Sequence, residues 1–453
     1  MKIPKLERKL GIETYTTQSL GIGGKIRQFP EDFVVEEILA DGARAKVQPV
    51  ETPHPVGEGC YLVCVLVKRE WDTFRAVMKV ARRMGISYKR VQIAGMKDAK
   101  ALTAQHISIR GVTPERVSRV RIKDITLHSL RFSDERVHSR LLLGNNFRIL
   151  IRGIFHPSSL IEKRVKNVQS ELSSLGGFPN FFGHQRFGTV RPITHVVGGY
   201  LVQGNLEKAA LTYLAQPSPH EHPESREARQ QLQDTQDFKE ALRLFPTYLR
   251  YERLMLVHLT KETGDFVGAF RKMPLKLRRL LVQAYQSFLF NKFLSERKKR
   301  DVGLNEPQVG DYVVHLDSQG LPTTKFLQVT SQSLSSVEKA LKEGKTRIAI
   351  PLIGFKQQPS DGVQGEIERE ILETENVAPR NFYISSIPEA SAPGTLRTIL
   401  APVIDFSMKE VSRDSTSPRK RQMELGFTLH RGSYATVLLR EFMKPRNLIK
   451  AGF

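Results

Sequence analysis

The stretch "GMKDAKALTAQHISIRG", Gly95–Gly111, gives the clearest local evidence for the fold and contains the most suggestive acidic residue of the chain. Residues 102–110 alternate with a period of two, which predicts a β-strand. Residues 90–95, "RVQIAG", predict another strand just before it. The stretch is therefore expected to belong to a strand–turn–strand unit, with Lys97 and Asp98 in the turn.

Asp98 has two explanations on this evidence. Aspartate is a common turn residue, because its side chain hydrogen-bonds to the nearby backbone. A neighbouring cation, such as Lys97 or Lys100, would favour the carboxylate form. A carboxylate held by a cation can act as a nucleophile or as a base. The residues around the turn leave both explanations open.

Helices and strands alternate irregularly around this stretch. Residues 61–67, "YLVCVLV", predict a buried strand, and residues 72–85 show helical spacing, with Asp72 as N-cap and Gly85 as the stop. Further strands are predicted at 124–132, 146–154, 347–355 and 425–443, further helices at 158–175 and 275–300, and loose segments at 216–226 and 412–422. This pattern fits an α+β fold with a mixed or antiparallel sheet, interrupted by an inserted domain.

Net charge is the unusual feature of the composition. Lys and Arg number 70 against 47 Asp and Glu, which gives +23 over 453 residues, whereas the hydrophobic fraction of 40% is ordinary. Such an excess of cations indicates a polyanionic partner, either a nucleic acid or an anionic membrane. Because no apolar run approaches the length of a membrane span, we favour a nucleic acid and expect no membrane association.

Common cofactor and metal motifs are missing from the sequence. It has no Walker loop, and "LGIGGK" at 20–25 lacks the full dinucleotide fingerprint. The two cysteines, Cys60 and Cys64, cannot supply a four-ligand zinc site and are too far apart on a strand to pair. We therefore expect no metal, no cofactor and a reduced, cytoplasmic setting.

Two further segments combine aromatic and polar residues. "NFFGHQRFG", 180–188, has three Phe with Asn, Gln and Arg. Aromatic rings can stack an unpaired base, Asn can contact a base edge, and Arg can bind phosphate. The alternative is a packed aromatic loop. Likewise Tyr434, in "GSYATVLLRE", is either a stacking residue or a core residue on a strand.

Together these segments resemble one family, the TruD pseudouridine synthases in their archaeal form, which isomerise uridine in RNA. Residues 95–105 match the family's G-x-K-D-x-x-A-x-T-x-Q, in which the aspartate is the catalytic residue. The other matching blocks, in family order, are "FPEDFVVEE" (29–37), "LGNNF" (143–147), "NFFGHQRFG" (180–188), "QSFLFNKFLSER" (286–297) and "FTLHRGSYATVLLRE" (427–441). Six ordered blocks are far more specific than a single Lys-Asp turn.

The resemblance implies a role for each matching residue. Asp98 is the catalytic aspartate, and whether it attacks a sugar carbon or removes a sugar proton stays open. Arg27 lies where the family can place a Lys that pairs with this aspartate. Further electrostatic support is expected from Lys97 and Arg186. The residues expected to contact the target uridine are Phe33, Asn180, Phe182 and Tyr434.

The resemblance also implies an architecture and a reaction. The expected fold is α+β: a catalytic domain with a mixed, largely antiparallel sheet, in residues 1–205 and 404–453, interrupted by an inserted α/β TRUD domain at 206–403. The expected reaction converts one uridine of tRNA, at position 13, into pseudouridine after the base is flipped out. No cofactor and no obligatory protein partner are expected. The alternative is a non-catalytic RNA-binding or RNA-chaperone protein on the same scaffold.

Overall fold

The computed structural model describes residues 2–49 and 57–453. The helices, in chain order, are α1 (Lys5–Lys9), α2 (Thr73–Arg83), α3 (Pro114–Ser118), α4 (Ser158–Leu175), α5 (Thr194–Val202), α6 (Leu206–Ala215), α7 (Pro223–Thr235), α8 (Phe238–Leu244), α9 (Arg250–Leu259), α10 (Phe266–Arg271), α11 (Leu275–Lys299), α12 (Leu334–Lys342), α13 (Gly362–Thr374) and α14 (Ala435–Met443). The strands are β1 (Phe33–Leu39), β2 (Tyr61–Arg69), β3 (Val91–Ile93), β4 (Leu102–Arg110), β5 (Ile125–Ser133), β6 (Leu142–Ile154), β7 (Phe178–Pro179), β8 (Tyr312–Leu316), β9 (Pro322–Gln328), β10 (Thr346–Leu352), β11 (Thr395–Thr398), β12 (Leu400–Ala401), β13 (Ile404–Met408), β14 (Ser412–Asp414) and β15 (Ser417–His430).

The chain divides into two compact units, and each is assembled from two separate stretches of sequence. The large-sheet unit comprises Thr17–Phe178 and Ala401–Phe453. The helical unit comprises Met1–Thr16 and Pro179–Leu400. The expected boundaries of an inserted domain, 206 and 403, stay a prediction.

The large-sheet unit contains a mixed sheet with the strand order β13-β15-β6-β1-β4-β2-β5, to which β14 adds beside β15 and β3 beside β4. Strands β1 and β4 run parallel. The other described neighbours in this sheet are antiparallel. The predicted α+β fold with a mixed, largely antiparallel sheet is confirmed.

Strand β2 is apolar on both faces because both of its faces are covered. On one face Leu62, Cys64 and Leu66 pack with the buried side of α2. On the other, Val65 and Val67 pack in a smaller cluster. Alternate residues of a strand point to opposite faces, so this two-sided burial explains the unbroken apolar run.

The register of β1 and β4 sets the position of the predicted turn. Val34 lies opposite Leu102 in this parallel pair. Because neighbouring parallel strands begin at the same edge of a sheet, the segments that lead into them meet there. One of these segments carries Arg27 and the other carries Asp98.

The structure corrects the prediction of one long strand at 425–443. Strand β15 ends at His430, and α14 begins at Ala435. Gly432 has a φ of 85°, in the left-handed region, and lies in the turn between them. All nine residues of α14 are buried. The segment therefore lacks the polar stripe by which a helix is distinguished from a buried strand.

The predictions of loose structure at 412–422 and 216–226 were also wrong in part. Strand β14 pairs with the first part of β15 to make a hairpin. Most of its side chains are exposed and polar, so the sequence lacks the apolar alternation of a half-buried strand. Residues 223–226 form the first turn of α7, with Pro223 at its start.

The helical unit is organised around α11. Its separate sheet has the order β11-β10-β8-β9 and is antiparallel throughout the described pairs. Helix α5 packs so closely on α11 that only a glycine fits at Gly198. A Cβ added there would lie 2.0 Å from the carbonyl oxygen of Leu281. Arg297, near the end of α11, is fully buried and pairs with Asp311 at 2.7 Å. In the described ranges, no helix is long and apolar enough to cross a membrane.

Candidate active site

Asp98 and Arg27 form an ion pair at the edge of the large sheet. The Arg27 Nη2 atom donates to Asp98 Oδ1 at 2.8 Å. The Arg27 side chain is only 10% exposed, while that of Asp98 is 33% exposed, so the carboxylate faces solvent and the guanidinium lies beneath it. The ring of Phe33 lies under Arg27, with its centroid 3.9 Å from the guanidinium carbon. Two of the predicted site residues are thus placed directly against Asp98 or its partner.

Arg27 is held in place from several directions. Its Nη1 atom donates to the carbonyl oxygen of Gly452 at 3.2 Å. Its backbone has a φ of 56°, a strained region for a residue with a Cβ. Burial lowers the pKa of the guanidinium, and the charge and hydrogen bond of Asp98 oppose that effect. Arginine remains protonated in proteins, so this group presents a fixed positive charge to Asp98.

Lys68, at the end of β2, holds the backbone of the same turn. Its Nζ atom donates to the carbonyl oxygen of Asp98 and to that of Trp71, both at 2.7 Å. The residue is fully buried. Burial lowers its pKa to about 8, although the nearby Asp98 and Asp72 act to raise it. A buried ammonium needs such partners, since an unpaired one would be costly.

Two further side chains fix the residues before Asp98. The Thr73 hydroxyl, in the first residue of α2, accepts a hydrogen bond from Lys97 N at 3.0 Å. Gln105, in β4, donates through Nε2 to the carbonyl oxygen of Gly95 at 3.1 Å. A helix start and two strands therefore determine the backbone path of this turn.

Lys97 points away from Asp98 toward a buried carboxylate. Its Nζ atom lies 2.7 Å from Glu37 Oε2 and donates to Asn145 Oδ1 at 2.8 Å. Glu37 also accepts from the backbone N–H of His106 at 3.0 Å. Burial acts to raise the pKa of Glu37, but its hydrogen bonds and the Lys97 charge prevail and lower it. In this structure Arg27 therefore pairs with Asp98, whereas Lys97 pairs with Glu37.

Tyr434 lies in the same unit, immediately before α14. It is half-buried, and its carbonyl oxygen accepts from Val437 N at 3.0 Å. The alternative of a core residue on a strand was wrong, because β15 has already ended. Its contact with the target uridine stays a prediction.

The predicted residues of "NFFGHQRFG" lie in the helical unit. Asn180 is buried and donates through Nδ2 to Thr398 O at 3.1 Å, while its Oδ1 accepts from Arg397 Nη2 at 2.6 Å. Phe182 is also buried, and its ring makes a T-shaped contact with Phe290. The Asn180 side chain is therefore engaged with its own unit in this structure.

Arg397, which no sequence motif singled out, contacts both of these residues. Its guanidinium carbon lies 4.1 Å from the centroid of Phe182, and its Nε donates to the carbonyl oxygen of Asn180 at 3.0 Å. Arg186 lies farther from the same ring, at 5.8 Å. One face of Phe182 is thus covered by a cation, and an Arg plane can itself stack a base.

Among the described residues, the one group of three potential metal ligands is His258, Glu262 and Asp265, in the helical unit. His258 Nε2 and Asp265 Oδ2 are already hydrogen-bonded at 2.8 Å. Asp265 also accepts from Gly268 N at 2.8 Å, as the N-cap of α10. These contacts give the group a structural role, and no metal is needed to explain it.

Comparison with known proteins agrees with this description. The family model for tRNA pseudouridine synthase D (TruD) matches residues 9–442. Two relatives are named "Probable tRNA pseudouridine synthase D". The one from Methanosarcina barkeri is 40% identical over 445 residues, 98% of both chains, and the one from Methanosarcina mazei is 40% identical over 451 residues, 99% of both chains.

The fold matches as well. A crystal structure of a candidate tRNA pseudouridine synthase D (TruD) from Methanosarcina mazei has a TM-score of 0.84 and 40% identity, and the match covers 98% of this chain and 99% of that one. The family predicted from the six sequence blocks is therefore confirmed. The chain belongs to the TruD family of tRNA pseudouridine synthases, which are isomerases.

Proposed function

We propose that this protein isomerises uridine 13 of tRNA to pseudouridine, with Asp98 as the catalytic residue. The observation that carries the proposal is the pair of Asp98 with Arg27, on a turn whose carbonyl is held by the buried Lys68. Buried cations with lowered pKa values, such as Arg27 and Lys68, are concentrated at functional sites. The cytoplasm is the proposed setting of the reaction.

The chemistry requires an ionised carboxylate. In the reaction the N1–C1′ bond breaks, the uracil turns, and C5 bonds to C1′, while C5 loses its proton and N1 gains one. Substrate and product are isomers, so neither an electron donor nor an energy source is consumed. Whether Asp98 attacks a sugar carbon or removes a sugar proton, it must start without its own proton. Arg27 is placed to bind such a carboxylate, because its Nη2 atom donates to Asp98 Oδ1 at 2.8 Å.

The other predicted residues have supporting roles in this proposal. Phe33 is buried beneath Arg27, so it would act on the uridine through the position of that guanidinium. Tyr434 would contact the flipped-out base directly. Asn180 and Phe182 would line a surface that contacts the RNA, and Arg397 lies over the ring of Phe182. Lys97 would support the site through Glu37, and Arg186 through its positive charge.

Asp98→Asn tests the proposal against the non-catalytic alternative. The variant keeps the size of the side chain but cannot act as a base or a nucleophile. We expect pseudouridine formation on an unmodified tRNA transcript to fall below detection, with RNA affinity changed less than about threefold, since one neutralised acid scarcely alters a +23 chain. Chemical mapping of pseudouridine is the measurement.

Asp41→Asn is the matched control, because Asp41 is an exposed turn aspartate in the same unit, paired with Arg131. It should retain full activity. Turnover by Asp98→Asn at the wild-type rate would refute the catalytic role. Wild-type protein that binds tRNA without modifying it would support the RNA-binding alternative. A transcript with cytidine at position 13 should stay unmodified if the target assignment is correct.

A further inference from the structure

A cavity of about 490 Å³ opens in the helical unit between the first half of α11, residues 182–186 and residues 390–397. Three arginines line it, namely Arg186, Arg279 and Arg397. Among the described residues that line the cavity there is no Asp and no Glu. A lining with three guanidinium groups and, among its described residues, no acidic side chain favours an anionic ligand.

Arg279 is held in an orientation that suits ligand binding. Its side chain is exposed, and its Nε donates to the carbonyl oxygen of Glu389 at 2.8 Å. Over the described part of the chain, neither Nη atom of Arg279 meets an acceptor or a carboxylate. The Nε bond therefore orients the guanidinium and leaves two donors for a ligand. Such a fork matches the geometry of phosphate oxygens.

The acidic residue next to Arg279, Glu389, does not cancel the positive charge of the cavity. The carboxylate of Glu389 is bound by Arg278, so its negative charge is already neutralised. Arg186 is positioned through its Nε, which donates to the Ser287 hydroxyl at 3.2 Å. The amide oxygen of Gln283 accepts from Arg186 Nη2 at 3.3 Å. Two uncharged side chains, Ser287 and Gln283, thus orient Arg186 from within the cavity lining.

We infer that this cavity binds a phosphodiester group of the RNA strand, with Arg279 as a direct ligand. The inference rests on the proposed function for the identity of the RNA. The helical unit would then bind the sugar–phosphate backbone of the RNA. Contacts of this kind position the RNA without recognising its base sequence. A cavity of this size could also accept a free nucleotide phosphate, which shares the same chemistry.

The test is the affinity of full-length Arg279→Gln for an unmodified tRNA transcript over a range of salt concentrations. We expect the Kd to rise about 5- to 10-fold. The slope of log K against log salt should become shallower by about one phosphate contact. Arg279→Lys should fall between wild type and Arg279→Gln, because it keeps the charge and loses the fork.

Lys298→Gln is the matched control. Lys298 lies on the same helix, 19 residues further on, which is roughly 28 Å along the axis. It should bind tRNA like the wild type. Equal Kd values for Arg279→Gln and Lys298→Gln would overturn the inference.

A parallel titration with UMP separates the two sources of phosphate. Loss of tRNA affinity in Arg279→Gln, with no Arg279-dependent binding of UMP, supports a strand phosphate. Arg279-dependent binding of UMP with unchanged affinity for tRNA overturns the inference. Because these readouts do not depend on turnover, a wild-type protein without pseudouridine formation would refute the proposed function and leave this site intact.

Discussion

Two cations share the task of holding Asp98. Arg27 binds the carboxylate, and Lys68 binds the carbonyl oxygen of the same residue. The first contact positions the carboxylate of Asp98, and the second positions its backbone. Because both its side chain and its backbone are hydrogen-bonded, Asp98 has little conformational freedom. A residue held in this way is preorganised to meet the sugar.

Lys68→Gln should slow pseudouridine formation at saturating tRNA about 10- to 100-fold. A hydrogen bond to a charged group contributes about 1.5–3 kcal/mol, which corresponds to that range of rates. The pKa of Lys68 is lowered to about 8. The wild-type rate should therefore fall as the pH rises through about 8, where the ammonium becomes a neutral amine and the charged hydrogen bonds weaken. The measurement is the rate at saturating tRNA as a function of pH.

In Lys68→Gln this falling limb should disappear, because the titrating group is gone. Lys79→Gln on α2 should retain it. A limb that persists in Lys68→Gln would show that another group titrates there. The stability of the fold should depend on pH in the opposite direction from the rate. Because burial lowers the pKa of Lys68 in the folded state below 10.5, the charged form of this lysine destabilises the fold. That penalty is relieved as the pH rises from about 8 to 10.5.

Some of these residues could be predicted and others could not. Asp98 was selected because it lies inside a recognisable block of the sequence, and Arg27 because it lies three residues before Pro30, in another block. The choice between Arg27 and Lys97 as partner depended on Glu37, whose buried carboxylate binds Lys97 across the sheet. Lys68 was missed because a charged residue usually ends a buried strand. Here β2 continues through it, since two carbonyl oxygens bind its ammonium group.

At the scale of elements, α2 connects the core to the turn that carries Asp98. Its inner face packs on β2 and β4, and its first residue, Thr73, binds the backbone of Lys97. The start of the helix is fixed by Asp72, which accepts from Arg75 N at 3.0 Å. Disorder in this first turn of α2 should therefore change the position of the Asp98 backbone.

Asp72→Ala should cost about 1 kcal/mol of unfolding free energy, the usual value of an N-cap. It should also lower the rate of pseudouridine formation several-fold, since Thr73 would lose its fixed position. Denaturant unfolding and single-turnover rates are the two measurements. Asp237→Ala is the control, because Asp237 caps α8 through the same kind of bond to Lys239 N and Glu240 N.

The control should lose similar stability and keep the wild-type rate. If both variants lose stability equally and neither loses activity, α2 does not position the turn. Helix α2 and strand β4 could be predicted because each has one periodic pattern and clear ends. Helix α14 could not, because burial on every side removes that pattern.

At the scale of the whole molecule, the charge of +23 dominates the expected interaction with RNA. Each phosphate contact releases a counterion, so affinity falls as a power of the salt concentration. If at least six phosphates are bound, the affinity for tRNA should fall about 10³-fold between 50 and 200 mM salt. Equilibrium binding at four or five salt concentrations measures the slope, and a flat response would argue against an extended basic surface.

The strand order of the large sheet has a consequence for how the protein is made. Strand β15 lies directly beside β6, and residues 155–416 separate them in the sequence. At 5–20 residues per second, a ribosome needs roughly 10 to 50 seconds to cross that interval. During this time β6 has a bare edge, which is a template for wrong pairing. Nascent chains stalled before residue 417 should therefore aggregate or recruit chaperones far more than the completed protein does.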